Sequence, residues 1–532
     1  MAKGKLPNTA SIQYIFVQSP IRSIQTACDL WAFVSTPFAT IEIMQHQRET
    51  SDLTFPTDLV ALVFGIALFS LTIFFNQTIL ADPDTYWHIE TGRWIWAEQK
   101  FPRYDIFSHT AFGQPWTNME WLSQIILFFS YELLGWHGAV LLTSLVIALT
   151  FVLMNLLLAR KLRATVALGI STVSFLFASN HFLARPHVLS FPIIVIWVAA
   201  LARACEESRR PSLWLLPLIT LWANLHGAFT LGLVLAVGFG FEAAVAARAA
   251  DRLRIAIQWS VFWLGALVAA CITPYGYQYV LETFNVLNLG PVLQQNSEWR
   301  PMNADNEFIH EAILLVLLAL ALMFGVKIRF PRILLVVGIL HLGLKHVRGL
   351  PMIALTWPFM LADPLRFQFA FLRPATDPWP LFEVRKFGLL RAIIGVAAAA
   401  VAIFVLSAAY TRVRPAVSPS PNVSPQAAID YVLREKVAGP VLNDFDFGGY
   451  LIFRGIKTFI DGRTLPFGKQ FAVDYFDAIQ IQNLAKLDQM ADTYKVTWTL
   501  SRTGSTMAYH FDHSTRWRRA YADNIAVIHV RR

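Results

Sequence analysis

The sequence predicts a polytopic α-helical membrane protein that ends in a small α/β domain. Three observations lead to this prediction. Of the 532 residues, 55% are hydrophobic and only 15% are charged, whereas soluble domains carry about 25% charged residues. Apolar runs of membrane-spanning length recur from residue 58 onward, since a span needs about 20 apolar residues. After residue 425 these runs stop, and short apolar stretches alternate with glycine-rich turns, as in an α/β domain.

Charge and cysteine content exclude several classes of function. The net charge of +9 arises largely from basic residues at the ends of apolar runs, a pattern typical of the positive-inside rule. We therefore expect the lipid bilayer as a partner and no nucleic acid. Cys28, Cys205 and Cys271 are far apart, so neither zinc-ligand spacing nor a disulfide framework is present.

The first 55 residues are predicted to be a cytosolic N-terminal segment. Their composition is mixed, and no apolar core precedes a small-residue cleavage site, so they do not resemble a cleavable signal peptide. Two interpretations stay open, an amphipathic surface segment and a poorly ordered leader.

Residues 56–411 are predicted to form a transmembrane domain of about eleven spans. The run between residues 212 and 248 is divided at Asn224, Leu225, His226 and Gly227, so we interpret it as two spans that meet at a turn. The predicted spans are 58–80, 138–158, 165–184, 187–204, 212–225, 228–247, 256–273, 311–326, 331–346, 349–363 and 389–410.

Loop charges predict the orientation of these spans. Basic residues follow the second, fourth, sixth, eighth and tenth spans, which places those five loops in the cytosol. The first loop, residues 81–137, and the carboxyl terminus then lie outside. One external loop breaks the rule, because it carries Lys345, His346 and Arg348. Snorkelling explains such residues, but we favour a phosphate-binding site.

After a Pro/Ser-rich linker, 412–425, residues 426–532 are predicted to form an extracytoplasmic α/β domain, called the tail below. Strands are predicted at 440–443, 450–453, 457–460, 496–500 and 525–530, and a helix at 471–494. Asp444, Asp446 and the run Asp461, Gly462 and Arg463 are candidates for function, although Asp and Gly more often form turns. We expect the tail to position an acceptor or to cap the site.

Asp82 and Asp84 are the strongest catalytic candidates. They follow the first span and flank Pro83, which restricts the backbone between them. We expect both carboxylates to face solvent at the membrane surface. There a carboxylate can deprotonate a hydroxyl or hold a divalent cation through oxygen ligands. A solvated helix-end turn is the structural alternative. No cofactor is otherwise indicated.

Polar and aromatic residues of several external loops are predicted to meet on one surface. Each of them alone is typical of a structural helix end, but together they predict a substrate-binding face. Besides Arg185, which we also consider for phosphate binding, they are Trp87, His88, Arg93, Glu120, Trp121, His187, Asn224, His226, Glu298 and Arg300.

These motifs resemble the GT-C class of membrane glycosyltransferases, which includes protein O-mannosyltransferases and lipid A aminoarabinose transferases. The resemblance rests on the run DPDTYWHIETGRW, on FPRYDIFSHT and GQPWTNMEWL, and on ARPH, NLHG, EWRP and FIDGR. It implies a GT-C-like fold in a bacterial inner membrane with a periplasmic tail. It also implies transfer of a sugar from a polyprenyl-phosphate donor to a lipid, glycan or protein acceptor. Asp84 or Asp82 would be the general base, and Arg185, Lys345 or Arg348 would bind the donor phosphate.

Two alternatives come from other classes. A transporter or flippase of a lipid-linked anion is expected to carry charge or broken helices at mid-membrane and an internal repeat, and the sequence has neither pattern convincingly. A non-catalytic envelope assembly factor is the weaker alternative.

Overall fold

The computed structural model, which describes residues 57–74, 76–288, 298–374, 386–480 and 483–532, has a helix that overlaps each of the eleven predicted spans. The predicted N-terminal segment lies outside these described residues. Numbered in chain order, the eleven are α1 (Thr57–Phe74), α5 (Trp136–Ala159), α6 (Ala164–Ala178), α7 (Pro186–Glu206), α8 (Leu215–Leu225), α9 (Phe229–Ala246), α10 (Arg252–Ala270), α12 (Ala304–Met323), α13 (Phe330–Lys345), α14 (Leu350–Gln368) and α15 (Lys386–Val413).

Six helices in the described part of the chain are long and apolar enough to cross a membrane. They are α5, α7, α9, α10, which is counted with the turn before it, α12, and the portion Ile394–Val413 of α15. The protein is therefore a multi-pass membrane protein. Membrane crossing by the other five helices stays a prediction.

The first loop is largely helical. It contains α3 (Asp84–Glu98) and α4 (Trp121–Leu134), which follow the short helix α2 (Asn76–Ile79). The two helices pack closely because Gly92 has no side chain: a Cβ atom there would lie 2.1 Å from the carbonyl oxygen of Gln124. The polar residues of α3 are mostly buried.

The tail contains one four-stranded sheet of order β1-β2-β4-β3. β1 pairs with β2 in parallel, with Val441 opposite Trp498, and the remaining pairs are antiparallel. The strands are β1 (Val441–Asn443), β2 (Trp498–Arg502), β3 (Trp517–Ala522) and β4 (Ala526–Arg531). The remaining helices are α11 (Gln278–Asn288) before the tail and α16 (Gln426–Arg434), α17 (Gly448–Phe453), α18 (Gly468–Ala478), α19 (Ala485–Thr493) and α20 (Thr506–Asp512) within it.

Four details of the tail differ from the prediction. The run 450–453 is helical, because Gly448 and Gly449 allow α17 to approach the first loop: a Cβ atom on Gly449 would lie 2.1 Å from the carbonyl oxygen of Pro83. Residues 457–460 form no strand and contribute one bridge, Thr458 to Ser108. The predicted helix 471–494 is two helices, and β3 was not predicted.

The tail packs against the first loop over shared hydrophobic cores. Ala111 of the loop is buried among tail residues such as Phe459 and Tyr475. Tyr86 is buried with Tyr450 and others in a second core. Backbone hydrogen bonds cross the same boundary, from His109 N to Thr458 O at 2.9 Å and from Thr458 N to Phe107 O at 3.1 Å. The loop and the tail therefore form the walls of one site together.

Candidate active site

A cavity of about 310 Å³ lies where the first loop, the ends of the membrane helices and the tail meet. Its lining combines carboxylates, cations and aromatic rings, as expected of a ligand site with a few orienting polar groups. The charged and titratable residues that line it are Asp84, Glu120, Arg185, His226, Arg348 and Arg463.

Three carboxylates surround Arg185 at one side of the cavity. The Nη1 atom of Arg185 lies 3.1 Å from Asp82 Oδ2 and 2.5 Å from Glu298 Oε1, and its Nη2 atom lies 2.7 Å from Asp84 Oδ2. We call these four residues the acid cluster. The chain brings them together because α3 begins at Asp84 and α7 begins directly after Arg185. Asp82 also accepts a hydrogen bond from the Asp84 backbone N–H at 2.7 Å.

The acid cluster is buried, contrary to the expectation that Asp82 and Asp84 face solvent. Their exposed fractions are 8% and 6%. Burial raises the pKa of Asp82 to about 7, although Arg185 opposes the shift, and burial raises the pKa of Asp84 as well. Burial also disfavours the charge of Glu298, but Arg185 and Arg348 together lower its pKa to about 2. One guanidinium thus faces three carboxylates, and Asp82 holds a proton up to near-neutral pH.

Glu120 is a further carboxylate in the cavity wall, and two imidazoles flank it. His226 Nε2 lies 3.4 Å from one of its oxygens and His88 Nδ1 lies 3.7 Å from the other. Burial raises the pKa of Glu120 to about 7 against the influence of Arg185 and Arg348. Burial lowers the pKa of both His88 and His226 well below the usual range. Both imidazoles are therefore neutral partners of Glu120.

Of the predicted basic cluster, only Arg348 faces the cavity. Its guanidinium stacks 4.4 Å from the centre of the Trp299 ring, which also lines the cavity. His346 lies behind it, with Nδ1 2.8 Å from the Trp299 carbonyl oxygen. Lys345 is exposed in the last turn of α13 and does not line the cavity. A single Lys–His–Arg phosphate site is therefore not formed.

Several predicted substrate-binding residues support the cavity rather than line it. Trp87 does line it. Trp121 Nε1 donates to Asn224 Oδ1 at 2.8 Å, and the Asn224 amide donates to the carbonyl oxygens of Thr220, one turn earlier in α8, and of Ile272, just after α10. His187 Nε2 lies 2.9 Å from the His181 carbonyl oxygen. These contacts fix the turns that present Glu120 and His226.

Arg93 and Arg300 lie away from the cavity, contrary to the prediction. Arg93 forms an ion pair with Glu90 at 3.6 Å, and its guanidinium lies 5.9 Å from the Phe128 ring centre. Arg300 makes a two-point contact with Glu307, at 2.5 and 3.0 Å. Both arginines are thus paired with a carboxylate close to them in sequence. Their predicted position near a helix end did not imply contact with the substrate.

The tail supplies one wall of the cavity, and this wall includes Gly462 and Arg463 from the run that the sequence offered as a candidate for function. Gly462, Arg463, Thr464 and Leu465 all line the cavity. The Arg463 guanidinium is fully buried and forms ion pairs with Asp461 in the tail and with Asp105 in the first loop. In the sequence, the run FIDGR could have indicated this wall, because it places two opposite charges around a glycine among apolar residues. We had favoured its interpretation as a turn.

Metal binding by the carboxylates stays a hypothesis. Within the described ranges, no group of three His, Cys, Asp or Glu side chains is arranged to hold a metal ion. In this arrangement, Asp82, Asp84 and Glu298 each direct an oxygen at Arg185.

Comparisons with known proteins give structural likenesses at low sequence identity. No protein-family model and no curated protein matches the chain. One similar solved structure is the arabinofuranosyltransferase AftD from Mycobacteria, with 14% identity and a TM-score of 0.43; the likeness covers 88% of this chain and 39% of that one. Another is ArnT from Cupriavidus metallidurans bound to undecaprenyl phosphate, with 13% identity and a TM-score of 0.34, covering 88% and 97%.

Proposed function

We propose that this protein is a membrane glycosyltransferase that transfers a sugar from a polyprenyl-phosphate donor to a hydroxyl group of an acceptor on the extracytoplasmic face. One observation carries the proposal: a buried carboxylate, Asp84, and a stacked cation, Arg348, line the same cavity between the helix ends and the tail. A base for the acceptor and a cation for the leaving phosphate are the two groups that this transfer needs.

In the proposed reaction Asp84 removes the proton of the acceptor hydroxyl while the oxygen attacks the anomeric carbon of the donor. The bond from that carbon to the phosphate oxygen breaks, and polyprenyl phosphate departs with the bonding electrons. Burial raises the pKa of Asp84, which makes its carboxylate a stronger proton acceptor near neutral pH. Arg185 holds that carboxylate at 2.7 Å, and Asp82 fixes the start of α3.

We assign the donor phosphate to Arg348 rather than to Arg185. The hydrogen bonds that Arg185 makes already go to three carboxylates, and a phosphate placed there would add negative charge to an acid cluster that carries an excess of it. Arg348 is positioned by its ring contact with Trp299. A guanidinium suits a phosphate because its N–H groups match two phosphate oxygens at once.

Charge placement in the membrane region does not favour the transporter alternative. The buried ion pair of Arg332 with Glu242, at 2.5 Å, joins the start of α13 to the end of α9. Glu206, at the end of α7, joins the same pair at 3.0 Å. These charges lie at helix ends, whereas transport sites are built near the middle of the membrane.

The catalytic assignment is tested by glycan and lipid profiling of a deletion strain that carries variants. We expect Asp84→Asn to lower formation of the affected glycan about 10²- to 10⁴-fold, the usual effect of losing a general base. Its membrane level should stay near that of the parent, because the change removes one negative charge from a cluster with three. Asp305→Asn, at an exposed position in the first turn of α12, is the matched control. Parent glycan levels with Asp84→Asn would overturn the assignment.

The assignment of the donor phosphate to Arg348 is tested by measuring how tightly undecaprenyl phosphate binds to purified variants. Arg348→Gln should weaken binding about tenfold or more, since hydrogen bonds to charged groups contribute about 1.5–3 kcal/mol. Lys345→Gln removes an equal charge three residues away on the exposed side of α13 and should leave binding unchanged. Equal losses in both variants would instead indicate general electrostatic attraction.

A further inference from the structure

Residues Arg463, Thr464 and Leu465 form a strained turn in the wall of the cavity. Thr464 has φ of +43° and ψ of −47°, and a β-branched residue rarely adopts a positive φ. The backbone N–H of Leu465 donates to the carbonyl oxygen of Arg463, which closes a three-residue γ-turn of the rare kind with positive φ. We call it the 463–465 turn.

The other non-glycine residues with positive φ in the described ranges have an ordinary explanation. Gln99, Ser208, Lys436 and Lys495 each follow the end of a helix by one to two residues, where a left-handed residue commonly terminates the helix. None of the four is β-branched. Thr464 follows no helix, so helix termination does not account for it. Backbone strain of this kind occurs mainly at ligand-binding and active sites.

Buried contacts hold the 463–465 turn in place. The Arg463 guanidinium is clamped between Asp461 and Asp105, and Asp461 Oδ2 also accepts a hydrogen bond from Thr458 Oγ1 at 2.8 Å. The ring of Trp116 lies 4.9 Å from the guanidinium carbon. A surface loop without such anchors would relax, so the surrounding structure imposes this conformation.

The turn also lies directly against the proposed base. A Cβ atom on Gly462 would be only 1.9 Å from Asp84 Oδ1, so the backbone before the turn touches that carboxylate. Thr464 and Leu465 line the cavity together with the rings of Phe445 and Phe476, all from the tail. The residues that we assign to the donor phosphate, Arg348 and Trp299, come instead from the membrane region.

We propose that the 463–465 turn is the acceptor-binding edge of the cavity, with Thr464 and Leu465 holding the acceptor hydroxyl against Asp84. This rests on the proposed function and deepens it by assigning the acceptor to the tail and the donor to the membrane region. Apolar rings beside a threonine hydroxyl suit a ring with several hydroxyl groups. The acceptor is therefore a sugar unit of a glycan.

The test compares Thr464→Gly with Lys495→Gly in the full-length protein. Both changes relieve a positive φ in the tail, since glycine adopts it freely, but only Thr464 lines the cavity. We expect both variants to melt at or above the parent temperature. Thr464→Gly alone should lower glycan formation in the deletion strain about tenfold or more, because loss of positioning raises the reaction barrier. It should leave undecaprenyl phosphate binding unchanged, and Thr464→Ser should restore part of the activity.

Three results would overturn the inference. The first is a parent level of glycan with Thr464→Gly. The second is an equal loss with Lys495→Gly. The third is weakened undecaprenyl phosphate binding with Thr464→Gly, since that would place the turn on the donor side. If Thr464→Gly reduces the amount of folded protein, Leu465→Ala replaces it in the test. Melting temperature, glycan formation and undecaprenyl phosphate binding are then measured for that variant. Asp84→Asn, measured alongside, distinguishes failure of this inference from failure of the proposed function.

Discussion

At the scale of single residues, Arg185 is surrounded by more negative charge than it can neutralise. Asp82, Asp84 and Glu298 all contact its two terminal nitrogens. Full ionisation would leave a net charge of −2 in a buried position, which is unfavourable without further cations. Retention of a proton on Asp82 relieves part of that cost. The acid cluster should therefore make the stability of the protein depend on pH.

We expect Asp82→Asn to gain stability relative to the parent as the pH rises from 5 to 7. An unfolded aspartate has a pKa near 3.9, whereas burial raises the folded pKa of Asp82 to about 7. Between these values the folded parent holds a proton that the unfolded chain has lost, so its stability falls with rising pH, by at most about 1.4 kcal/mol per pH unit. Melting temperatures in detergent measure the difference.

Comparison with the parent separates Asp82 from other groups that titrate in the same range. The lowered pKa values of His88 and His226 make stability rise with pH up to about 6.5, the unfolded histidine value. Those groups are present in both proteins and cancel. Glu298, with a pKa of about 2, does not titrate above pH 5. If the stability of Asp82→Asn relative to the parent fell with rising pH, ionised Asp82 would stabilise the folded state.

The sequence indicated much of the charge in the cavity but not its pairing. Asp84, Glu120, Arg185, His226 and Arg348 were all candidates and all line the cavity. Their partners lie about 100 residues away, as Arg185 does from Asp84, and no local spacing records such a contact. For this reason Arg185 was interpreted as a phosphate ligand although it is occupied by carboxylates.

At the scale of elements, glycines decide how closely the tail approaches the first loop. Gly449 allows α17 to contact Pro83, and Gly462 allows the segment before the 463–465 turn to contact Asp84. The sequence showed both glycines as breaks between predicted strands, and Gly462 also as part of a candidate functional run, but it did not show what they contact. Short apolar runs do not distinguish a strand from a buried helix, whereas the ends of the long apolar helices of the membrane region were predicted to within about seven residues.

We expect Gly462→Ala to lower activity about 10²-fold without loss of the protein from the membrane. The added methyl group would lie 1.9 Å from Asp84 Oδ1, so the carboxylate must rotate away from its contact with Arg185 or the turn must move. Displacement of about 1 Å at a reacting group has effects of this size. Glycan formation in the deletion strain is the measurement.

Gly338→Ala is the matched control for this substitution. It lies inside α13, where a Cβ atom meets nothing within 4 Å, and alanine favours a helix over glycine by about 1 kcal/mol. It should keep full activity. Parent activity in Gly462→Ala would mean that the position of Asp84 against the tail does not matter for the reaction.

At the scale of the whole molecule, we expect the carboxyl terminus to lie outside the cytoplasm. Five basic loops alternate with acidic and aromatic ones along the sequence, which by the positive-inside rule places Asp82 and the tail on the outer side. A reporter that works only in the periplasm, fused after Arg532, should give a signal. Signal only from a cytosolic reporter would mean that the orientation is the reverse of the predicted one. The sugar donor would then have to be supplied on the cytosolic side.

The separation of loop and tail into domains was the least predictable feature. A linker rich in proline and serine indicated a boundary near residue 425, and the composition does change there. Yet Ala111 and Tyr86 of the first loop share cores with the tail. A linker in the sequence indicates where the chain is extended, but it does not show which surfaces are buried together once the chain has folded.

The ion pair between Asp105 and Arg463 sets a delay in the assembly of the protein. Its partners are 358 residues apart in the chain. At roughly 5 to 20 residues per second, the ribosome needs about 20 to 70 s to travel between them. During that time Asp105 of the first loop lacks its ion-pair partner Arg463, and the cavity lacks the wall that the tail provides. The cavity of a newly made chain is therefore complete only when nearly the last part of the polypeptide has been synthesised and has reached the first loop.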